Sequence, residues 1–333
     1  MFEWLDPNNM ILNLLLLVVG FVALIKGADI FVDGAAAVAR KFGVPGVIIG
    51  LTVVAMGTSA PELAVSVSAG IAGSNEIAVS NVIGSNLFNL LMVLGVCALI
   101  KPLPVDNNIR KRDYPICLAA TFLMLILAST KIVFGHSPNL GNIKAVSGSI
   151  SRIGGAIMLL FFIIYMIYTI RVAKKSKTTD DNAAPEPLAK SILFIVIGLA
   201  WIFIGGDGVV TTAKNLALMW GMSETLVGLT IVAIGTSLPE LVTSVVASHK
   251  GENGMAIGNV VGSNIFNLLL ILGVSSVINP IPVTVASFFD VVILLVVSIG
   301  SYFFVCSGKQ ITRVEGTVMI LAYAGYTAYA ILR

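Results

Sequence analysis

The sequence predicts an all-α membrane protein with ten transmembrane helices, arranged as two inverted five-helix repeats with broken helices at the core. Three observations support this fold class. Hydrophobic residues make up 57% of the 333 residues and charged residues only 11%, whereas a soluble chain carries about 25% charged residues. The apolar stretches are continuous, without the alternation of barrel strands, and approach the roughly 20 residues that a spanning helix needs. Lastly, the same polar motifs occur on both sides of one central linker.

Ten apolar segments follow one another along the chain. The first comes after an acidic leader without Lys or Arg, so it is read as a spanning helix and not as a secretory signal. The first and the sixth segments are long enough to be strongly tilted or to extend past the membrane. The segments lie at 11–40, 44–70, 77–100, 114–132, 152–171, 188–217, 222–248, 255–278, 287–306 and 313–332.

One polar linker divides the chain between the fifth and sixth apolar segments. It has the sequence RVAKKSKTTDDNAAPEPLAK, and its charges and prolines are typical of a solvated connection. We predict a first five-helix repeat at 1–171, a cytoplasmic linker at 172–187 and a second five-helix repeat at 188–333. With the N-terminus outside, about fourteen Lys and Arg residues fall on the cytoplasmic side and about five outside, which is the bias of the positive-inside rule. We therefore expect a multi-pass protein of the inner (plasma) membrane with both termini extracytoplasmic.

The strongest signal is an internal repeat. GLTVVAMGTSAPEL at 50–63 returns as GLTIVAIGTSLPEL at 228–241, and NVIGSNLFNLLMVLGV at 81–96 returns as NVVGSNIFNLLLILGV at 259–274. Both pairs have the same offset, because 240 − 62 and 267 − 89 are both 178, and about 32 of 55 aligned positions are identical. Each half has an odd number of spans, so the second copy enters the membrane from the opposite side. Inverted repeats are typical of secondary transporters, whose substrate site lies near the midplane.

The repeated GTSAPE and GTSLPE segments predict the broken helices. Pro61 has no amide hydrogen and its ring clashes with the carbonyl of Gly57, so the helix must kink or unwind in mid-span. In hydrocarbon, the carbonyls freed at about Ala55 to Thr58 need a partner. A hard cation is such a partner, because carbonyl oxygens are among its ligands. The second copy repeats this arrangement around Pro239.

Glu62 and Glu240 are the acidic residues deep inside spans at repeat-equivalent positions. An ionised acid at mid-bilayer costs about 2.5–3.5 kcal/mol even on the lower scales, so two of them favour an ion site over protonated structural glutamates. The facing GSNLFN and GSNIFN segments add polar residues four apart, hence on one helix face. A single Asn in a membrane helix often only joins helices, but two symmetric pairs favour ion ligation. The pairs are Ser85 with Asn89 and Ser263 with Asn267.

The chemistry of these residues is that of oxygen ligands. Carboxylate, amide, hydroxyl and carbonyl oxygens suit Ca²⁺ or Na⁺ and are poor ligands for Zn²⁺ or Cu²⁺. Cys97, Cys117 and Cys306 lie in apolar sequence without metal-ligand spacing, and we expect no cofactor. Asp29 and Asp207 are also repeat-equivalent, but they lie near the GAD and GGD segments of the long helices, where we expect them to act as structural caps.

The paired motifs closely resemble the two alpha-repeats of the cation/calcium exchanger superfamily, and best its sodium/calcium exchanger family in a short prokaryotic form. The resemblance covers the ten-span plan and is specific in about 110 residues. It implies that Glu62 and Glu240 are shared central ligands, and that the long first and sixth helices slide across the core during alternating access. It further implies backbone ligation by Ala55, Thr58, Ala233 and Thr236, and side-chain ligation by Ser59, Ser85, Asn89, Ser237, Ser263 and Asn267.

The chain follows the family pattern at the Thr after the motif glycine and differs from many relatives at Asn267. Calcium/proton exchangers of the superfamily carry an Asn in place of the Thr after the motif glycine, so Thr58 and Thr236 indicate the sodium/calcium family. Many relatives carry Asp where this chain has Asn267. The predicted site therefore has two carboxylates and two amides, and this departure leaves the number of counter-ions and any potassium requirement open.

The charge balance of the predicted site favours exchange over leakage. One Ca²⁺ or at least two Na⁺ neutralise two glutamates, whereas an empty occluded site would hold two desolvated like charges. We predict a secondary-active antiporter that exchanges Na⁺ for Ca²⁺, with these ions as substrates, the lipid bilayer as its surroundings, and no nucleic acid or obligatory protein partner. A Ca²⁺/H⁺ antiporter on the same scaffold is the first alternative, and a cation channel the second. We expect no enzyme, because the sequence has no GxSxG or HExxH motif.

Overall fold

The structure, a computed structural model, describes residues 9–73, 76–130, 142–143, 145–175, 187–222, 231 and 233–332. It is mostly helical. The helices of the first half are α1 (Met10–Phe42), α2 (Gly46–Thr58), α3 (Ala60–Ile71), α4 (Glu76–Ile100), α5 (Tyr114–Ala128) and α6 (Arg152–Lys175). Those of the second half are α7 (Leu188–Met219), α8 (Leu238–His249), α9 (Asn253–Ile278), α10 (Val285–Ser307) and α11 (Arg313–Leu332).

Six of the described helices are long and apolar enough to cross a membrane, or seven if α2 and α3, which meet at a bend of 48°, are counted as one span. The helices α5 and α8 have 15 and 12 residues, fewer than the roughly 20 that a straight span needs. Four parts of the prediction lie outside the described residues. They are most of the acidic leader (1–8), the end of the fourth predicted span (131–132), most of the predicted linker (176–186) and the start of the seventh predicted span (223–230). The count of ten spans therefore stays a prediction.

Two small antiparallel sheets depart from the all-helical prediction. The strand β1 (Leu103–Pro104) pairs with β4 (Gln310–Ile311), and β2 (Val146–Ile150) pairs with β3 (Ile281–Thr284). Strands of two to five residues are too short to carry a periodic signal, which is why the sequence did not reveal them. Each sheet ties a connection of the first half to a connection of the second.

Contacts between elements define two faces of the molecule. Near the start of α1, Asn13 accepts a hydrogen bond from Asn215, near the end of α7, at 2.9 Å. We call this end the N-terminal face. At the other end, Phe42 and Lys174 line one groove between α2 and α6. We call this end the linker face, because the segment 176–186 follows α6 directly.

The long helices α1 and α7 run antiparallel with their backbones in contact. A Cβ atom on Gly27 would lie 2.8 Å from the amide nitrogen of Ile202 and 2.9 Å from the carbonyl oxygen of Gly198, so only glycine fits there. Small residues allow this close approach between membrane helices. The seam is formed by glycines seven residues apart, namely Gly20, Gly27 and Gly34 of α1 and Gly198 and Gly205 of α7.

The two halves meet at the centre of the molecule, where α2 packs against α9. A Cβ atom on Gly262 of α9 would lie 2.8 Å from the Cα atom of Leu51. The helices α4 and α9 each widen into a π-helical turn, at Phe88–Val93 and Phe266–Ile271. These turns are repeat-equivalent, since 266 − 88 is 178. Turns of this kind often occur at functional sites, and here they hold the predicted asparagines.

Candidate cation site

The break between α2 and α3 differs in detail from the prediction. Pro61 lies in the first turn of α3. Backbone amides in a first turn have no acceptor within the helix, so the missing amide hydrogen of Pro61 costs no hydrogen bond there. We expected the helix to kink or unwind here, and it bends by 48° between α2 and α3. Gly57 is still helical, however, and the amide of Ser59 donates to the carbonyl oxygen of Ala55 at 3.0 Å. The prediction that the Ala55 carbonyl is freed is therefore wrong. The hydroxyl of Thr58 also lies 3.5 Å from this carbonyl oxygen.

The structure brings the two predicted glutamates together at the interface between the halves. Glu62 and Glu240 are each only 1% exposed. The hydroxyl of Ser59 donates to Oε1 of Glu240 at 2.8 Å. The hydroxyls of Ser237 and Ser85 lie 3.3 and 3.4 Å from Oε1 of Glu62. Each glutamate therefore receives a hydroxyl from the opposite half, because the inverted copies face each other here.

Four buried asparagines form a reciprocal network across the same interface. The side-chain nitrogen of Asn89 donates to the side-chain oxygen of Asn264 at 3.1 Å, and that of Asn267 donates to Asn86 at 3.0 Å. Asn86 and Asn264 also donate to each other's backbone carbonyl oxygens, at 3.3 and 3.4 Å. These bonds use the nitrogens of Asn89 and Asn267 and leave their oxygens as the acceptors that remain.

Several buried oxygens at this site make no hydrogen bond with any described residue. A buried polar atom without a partner is costly and needs an explanation, and a bound cation would supply one for each of these oxygens. They are Oε2 of Glu62, Oε2 of Glu240, Oδ1 of Asn89, Oδ1 of Asn267, Oγ of Ser263 and Oγ1 of Thr236.

The remaining predicted residues lie next to this centre. Thr236 lies beside Glu62, and Ser263 lies beside Glu240. The hydroxyl of Thr58 lies 3.1 Å from Oδ1 of Asn259 and 3.2 Å from the backbone oxygen of Val54. Ala233 belongs to the single helical turn Ala233–Gly235 that ends just before Thr236 and α8. All twelve predicted residues therefore fall in the described part of the chain.

Two further asparagines, at positions 81 and 259, support the glutamates and were missed by the sequence reasoning. Asn81 donates to the backbone oxygen of Glu62 at 3.3 Å and to the hydroxyl of Ser66 at 3.0 Å. Asn259 repeats this arrangement, with Ser244 at 3.0 Å and the backbone oxygen of Glu240 at 3.5 Å. A signal was present, because both begin the repeated NVIGSN and NVVGSN segments.

The predicted capping role of Asp29 and Asp207 is wrong. Both lie well inside continuous helices, α1 and α7, where no helix end needs a cap. The glycines beside them in the sequence misled the prediction, since they serve the close packing of α1 against α7 and not a turn.

The described residues contain no group of three or more His, Cys, Asp or Glu side chains that could hold a metal ion. The arrangement at the centre instead combines two carboxylates with amide and hydroxyl oxygens. This ligand set can hold a hard cation that sheds its water, such as Ca²⁺ or Na⁺.

Comparisons with known proteins agree on one family. Residues 12–171 and 190–332 match the family model described as sodium/calcium exchanger protein. The chain is 33% identical to the sodium/calcium exchanger MaX1 of Methanosarcina acetivorans, over 94% of this chain and 97% of that protein. It is 34% identical to the inner membrane protein YrbG of Escherichia coli, over 81% of each. A solved structure of the sodium-calcium exchanger NCX_Mj aligns with a TM-score of 0.80 and 31% identity, over 97% of this chain and 100% of that one.

Proposed function

Because the chain belongs to the sodium/calcium exchanger protein family, we propose that it is a secondary-active antiporter that exchanges Na⁺ for Ca²⁺ across the membrane by alternating access. One observation carries the proposal: buried carboxylate and amide oxygens of Glu62, Glu240, Asn89 and Asn267 make no hydrogen bond with the described residues. One Ca²⁺ or two Na⁺ would neutralise the two carboxylates. The loaded site could then be occluded at low cost, whereas the empty site could not. Coupled exchange follows from that difference.

The proposed ligands divide by the atoms that they offer. Glu62 and Glu240 are the central carboxylates, which both ions share. Ala55, Thr58, Ala233 and Thr236 offer backbone oxygens at the two helix breaks. The hydroxyls and amides are offered by Ser59, Ser85, Asn89, Ser237, Ser263 and Asn267. Support comes from the reciprocal hydrogen bonds between the halves and from the burial of these side chains.

The proposed architecture is that of ten spans in two inverted halves, 1–171 and 188–333, joined by a cytoplasmic linker at 172–187. It is supported by the offset of 178 residues, because Asn81 donates to Ser66 and the equivalent Asn259 donates to the equivalent Ser244. The excess of Lys and Arg on the linker face supports extracytoplasmic termini. The relative named as an inner membrane protein supports the same location for this chain. Ions alone serve as substrates, and the proposal requires neither a cofactor nor an enzymatic step.

The proposed function is tested by ⁴⁵Ca²⁺ uptake into proteoliposomes that contain the purified chain. Uptake should be rapid when the vesicles are loaded with Na⁺ and diluted into choline medium, and it should stop when Na⁺ is equal on both sides. Vesicles with equal Na⁺ and a pH gradient provide the control. Uptake driven by the pH gradient alone would identify a Ca²⁺/H⁺ antiporter. Ohmic currents far above exchanger turnover would identify a channel.

A further inference from the structure

The buried face of α8 carries more hydroxyl groups than that of α3, although the two helices are repeat-equivalent. Thr243 and Ser248 of α8 are both buried. The residues 178 positions earlier, at the matching places in α3, are Val65 and Gly70. The second half therefore has two hydroxyl groups beyond Glu240 that the first half lacks beyond its own glutamate.

The helix α8 leads from the cation site to the linker face. Glu240 lies in its first turn. The turn after α8 lies beside the end of α1, because Glu252 is 3.9 Å from Arg40, and α1 ends at Phe42 on the linker face. Thr243 comes three residues after Glu240, which is about 4.5 Å further along the helix and on the same face. It therefore lies on the linker side of the cation site.

The hydroxyl of Thr243 is fully buried and makes no hydrogen bond with any described residue. A threonine inside a helix can donate to the backbone oxygen of the preceding turn. Thr121 and Thr212 do so, at 3.0 and 2.7 Å from the oxygen four residues earlier. Thr236, beside Glu62, is the other described threonine with a buried hydroxyl that has no partner. Thr243 therefore shares with a proposed ligand the feature that indicates cation binding.

Helical geometry places Thr243 on the side of α8 that meets α1. Lys250 follows seven residues later, which is about two turns, so it lies on the same side of the helix. Its Nζ is 2.7 Å from Asp29 Oδ1 and 2.6 Å from Asp33 Oδ1, and both aspartates belong to α1. The two helices also pack against each other. A route from the cation site to the linker face between α1 and α8 would therefore pass Thr243.

We propose that the hydroxyl of Thr243 is a further cation ligand, which binds Ca²⁺ or Na⁺ on the passage between Glu240 and the linker face. Hard cations take oxygen ligands, and a cation here supplies the partner that this buried hydroxyl lacks. Its counterpart Val65 lines a cavity of about 380 Å³ between α3 and α7 and offers no oxygen to an ion. The added ligand therefore belongs to the linker side alone. The inference rests on the proposed exchange function and adds a residue to its ion pathway.

The test compares Thr243→Val, which keeps the shape of the side chain and removes its oxygen, with Thr243→Ser, which keeps the hydroxyl. Na⁺-dependent ⁴⁵Ca²⁺ uptake is measured from each face separately, in right-side-out and in inverted membrane vesicles. The valine variant should raise the apparent KM for Ca²⁺ by about fivefold at the linker face, as expected for the loss of one polar interaction. The KM at the N-terminal face should not change. The serine variant should keep both values, and Val65→Thr, the matched change in the first half, should leave the KM at the linker face unchanged.

Thermal unfolding separates cation binding from a structural role of this hydroxyl. A buried hydroxyl without a partner lowers stability, so in choline buffer without Na⁺ or Ca²⁺ the valine variant should unfold at the same or a higher temperature than the wild type. A lower unfolding temperature would show that the hydroxyl has a structural partner, and it would overturn the proposal. An unchanged KM at the linker face in Thr243→Val, or an equal rise at both faces, would also overturn it. Absence of Na⁺-dependent uptake by the wild-type chain would instead contradict the proposed function itself.

Discussion

The hydroxyl of Ser59 donates to Oε1 of Glu240 at 2.8 Å, although the two residues lie 181 positions apart and in different halves of the chain. The inverted relation places Ser237 3.3 Å from Oε1 of Glu62. Each carboxylate therefore keeps one oxygen engaged by the opposite half and leaves Oε2 without a partner among the described residues. In this arrangement each half orients the carboxylate of the other, so neither half could form the site alone.

The two glutamates should be indispensable for Ca²⁺ transport. Glu62→Gln or Glu240→Gln preserves the shape of the side chain but removes half of the negative charge of the site. Removing one partner of a buried pair of opposite charges, here the carboxylate that would face Ca²⁺, costs about 3–5 kcal/mol. Uptake of ⁴⁵Ca²⁺ should fall by about a hundredfold to a thousandfold in both variants. Glu76→Gln, which changes an exposed glutamate, provides the control. Near wild-type exchange by either glutamine variant, in protein that elutes as a folded species, would show that the proposed centre is wrong.

The asparagine at position 86 should act by orienting Asn267. Asn86→Ala removes the acceptor of the Asn267 side-chain nitrogen, and a hydrogen bond of this kind contributes about 1–1.5 kcal/mol. The apparent KM for Ca²⁺ should rise about tenfold. A double-mutant cycle with Asn267→Ala provides the control, because residues that act together give effects that do not add. Strictly additive effects would mean that Asn86 does not work through Asn267.

Acidification should weaken Ca²⁺ binding, because protons and Ca²⁺ compete for the same carboxylate oxygens. The apparent KM for Ca²⁺ should rise as pH falls on the Ca²⁺-binding side, with little effect at saturating Ca²⁺. Asn267→Asp adds a third carboxylate, and three adjacent anions repel one another. This variant should keep exchange at neutral pH and show a stronger pH dependence at more alkaline pH than the wild type. An unchanged pH profile would place Asn267 outside the ion site.

Lys250 follows α8 and binds Asp29 and Asp33 of α1, at 2.7 and 2.6 Å, so it should hold these two helices together on the linker face. Partial burial lowers the pKa of Lys250, but its hydrogen bonds and charge interactions with Asp29 and Asp33 outweigh this and raise the pKa above its usual value. Lys250→Met should increase labelling of an introduced Ala28→Cys from the linker face by about two- to fivefold, since such exposed pairs are each worth up to about 1 kcal/mol.

Two variants make the labelling test for Lys250 decisive. The background requires Cys306→Ser, because this cysteine is exposed. Lys101→Met removes a charge from the same face and should leave labelling unchanged. Equal labelling in Lys250→Met and in the unmodified background would show that the ion pairs do not hold α8 against α1.

The orientation in the membrane is tested by cysteine labelling of intact cells. An introduced Thr178→Cys in the linker should react with an impermeant maleimide only after the cells are opened, because the excess of Lys and Arg places the linker inside. Ser74→Cys, between α3 and α4, should react from outside and serves as the control. The reverse pattern would invert the orientation and leave the repeat untouched.

The sequence by itself determined the membrane class, the inverted repeat and the pair Glu62 and Glu240. Composition reports how much of the surface faces lipid, and the offset of 178 residues is visible without coordinates. Broken helices could be foreseen from Pro61, because the missing amide is a local property of the chain.

The tertiary structure decided what depends on contacts between the halves. The side-chain nitrogens of Asn89 and Asn267 donate to Asn264 and Asn86, which leaves their side-chain oxygens without a partner among the described residues. This arrangement depends on contacts between the halves and cannot be read from a local pattern. The surroundings of the two long helices also differ, because α1 packs against α8 while a cavity remains between α3 and α7. About 32 of 55 aligned positions are identical in the two copies. These positions share their local preferences, so their different surroundings arise from how the halves pack against each other.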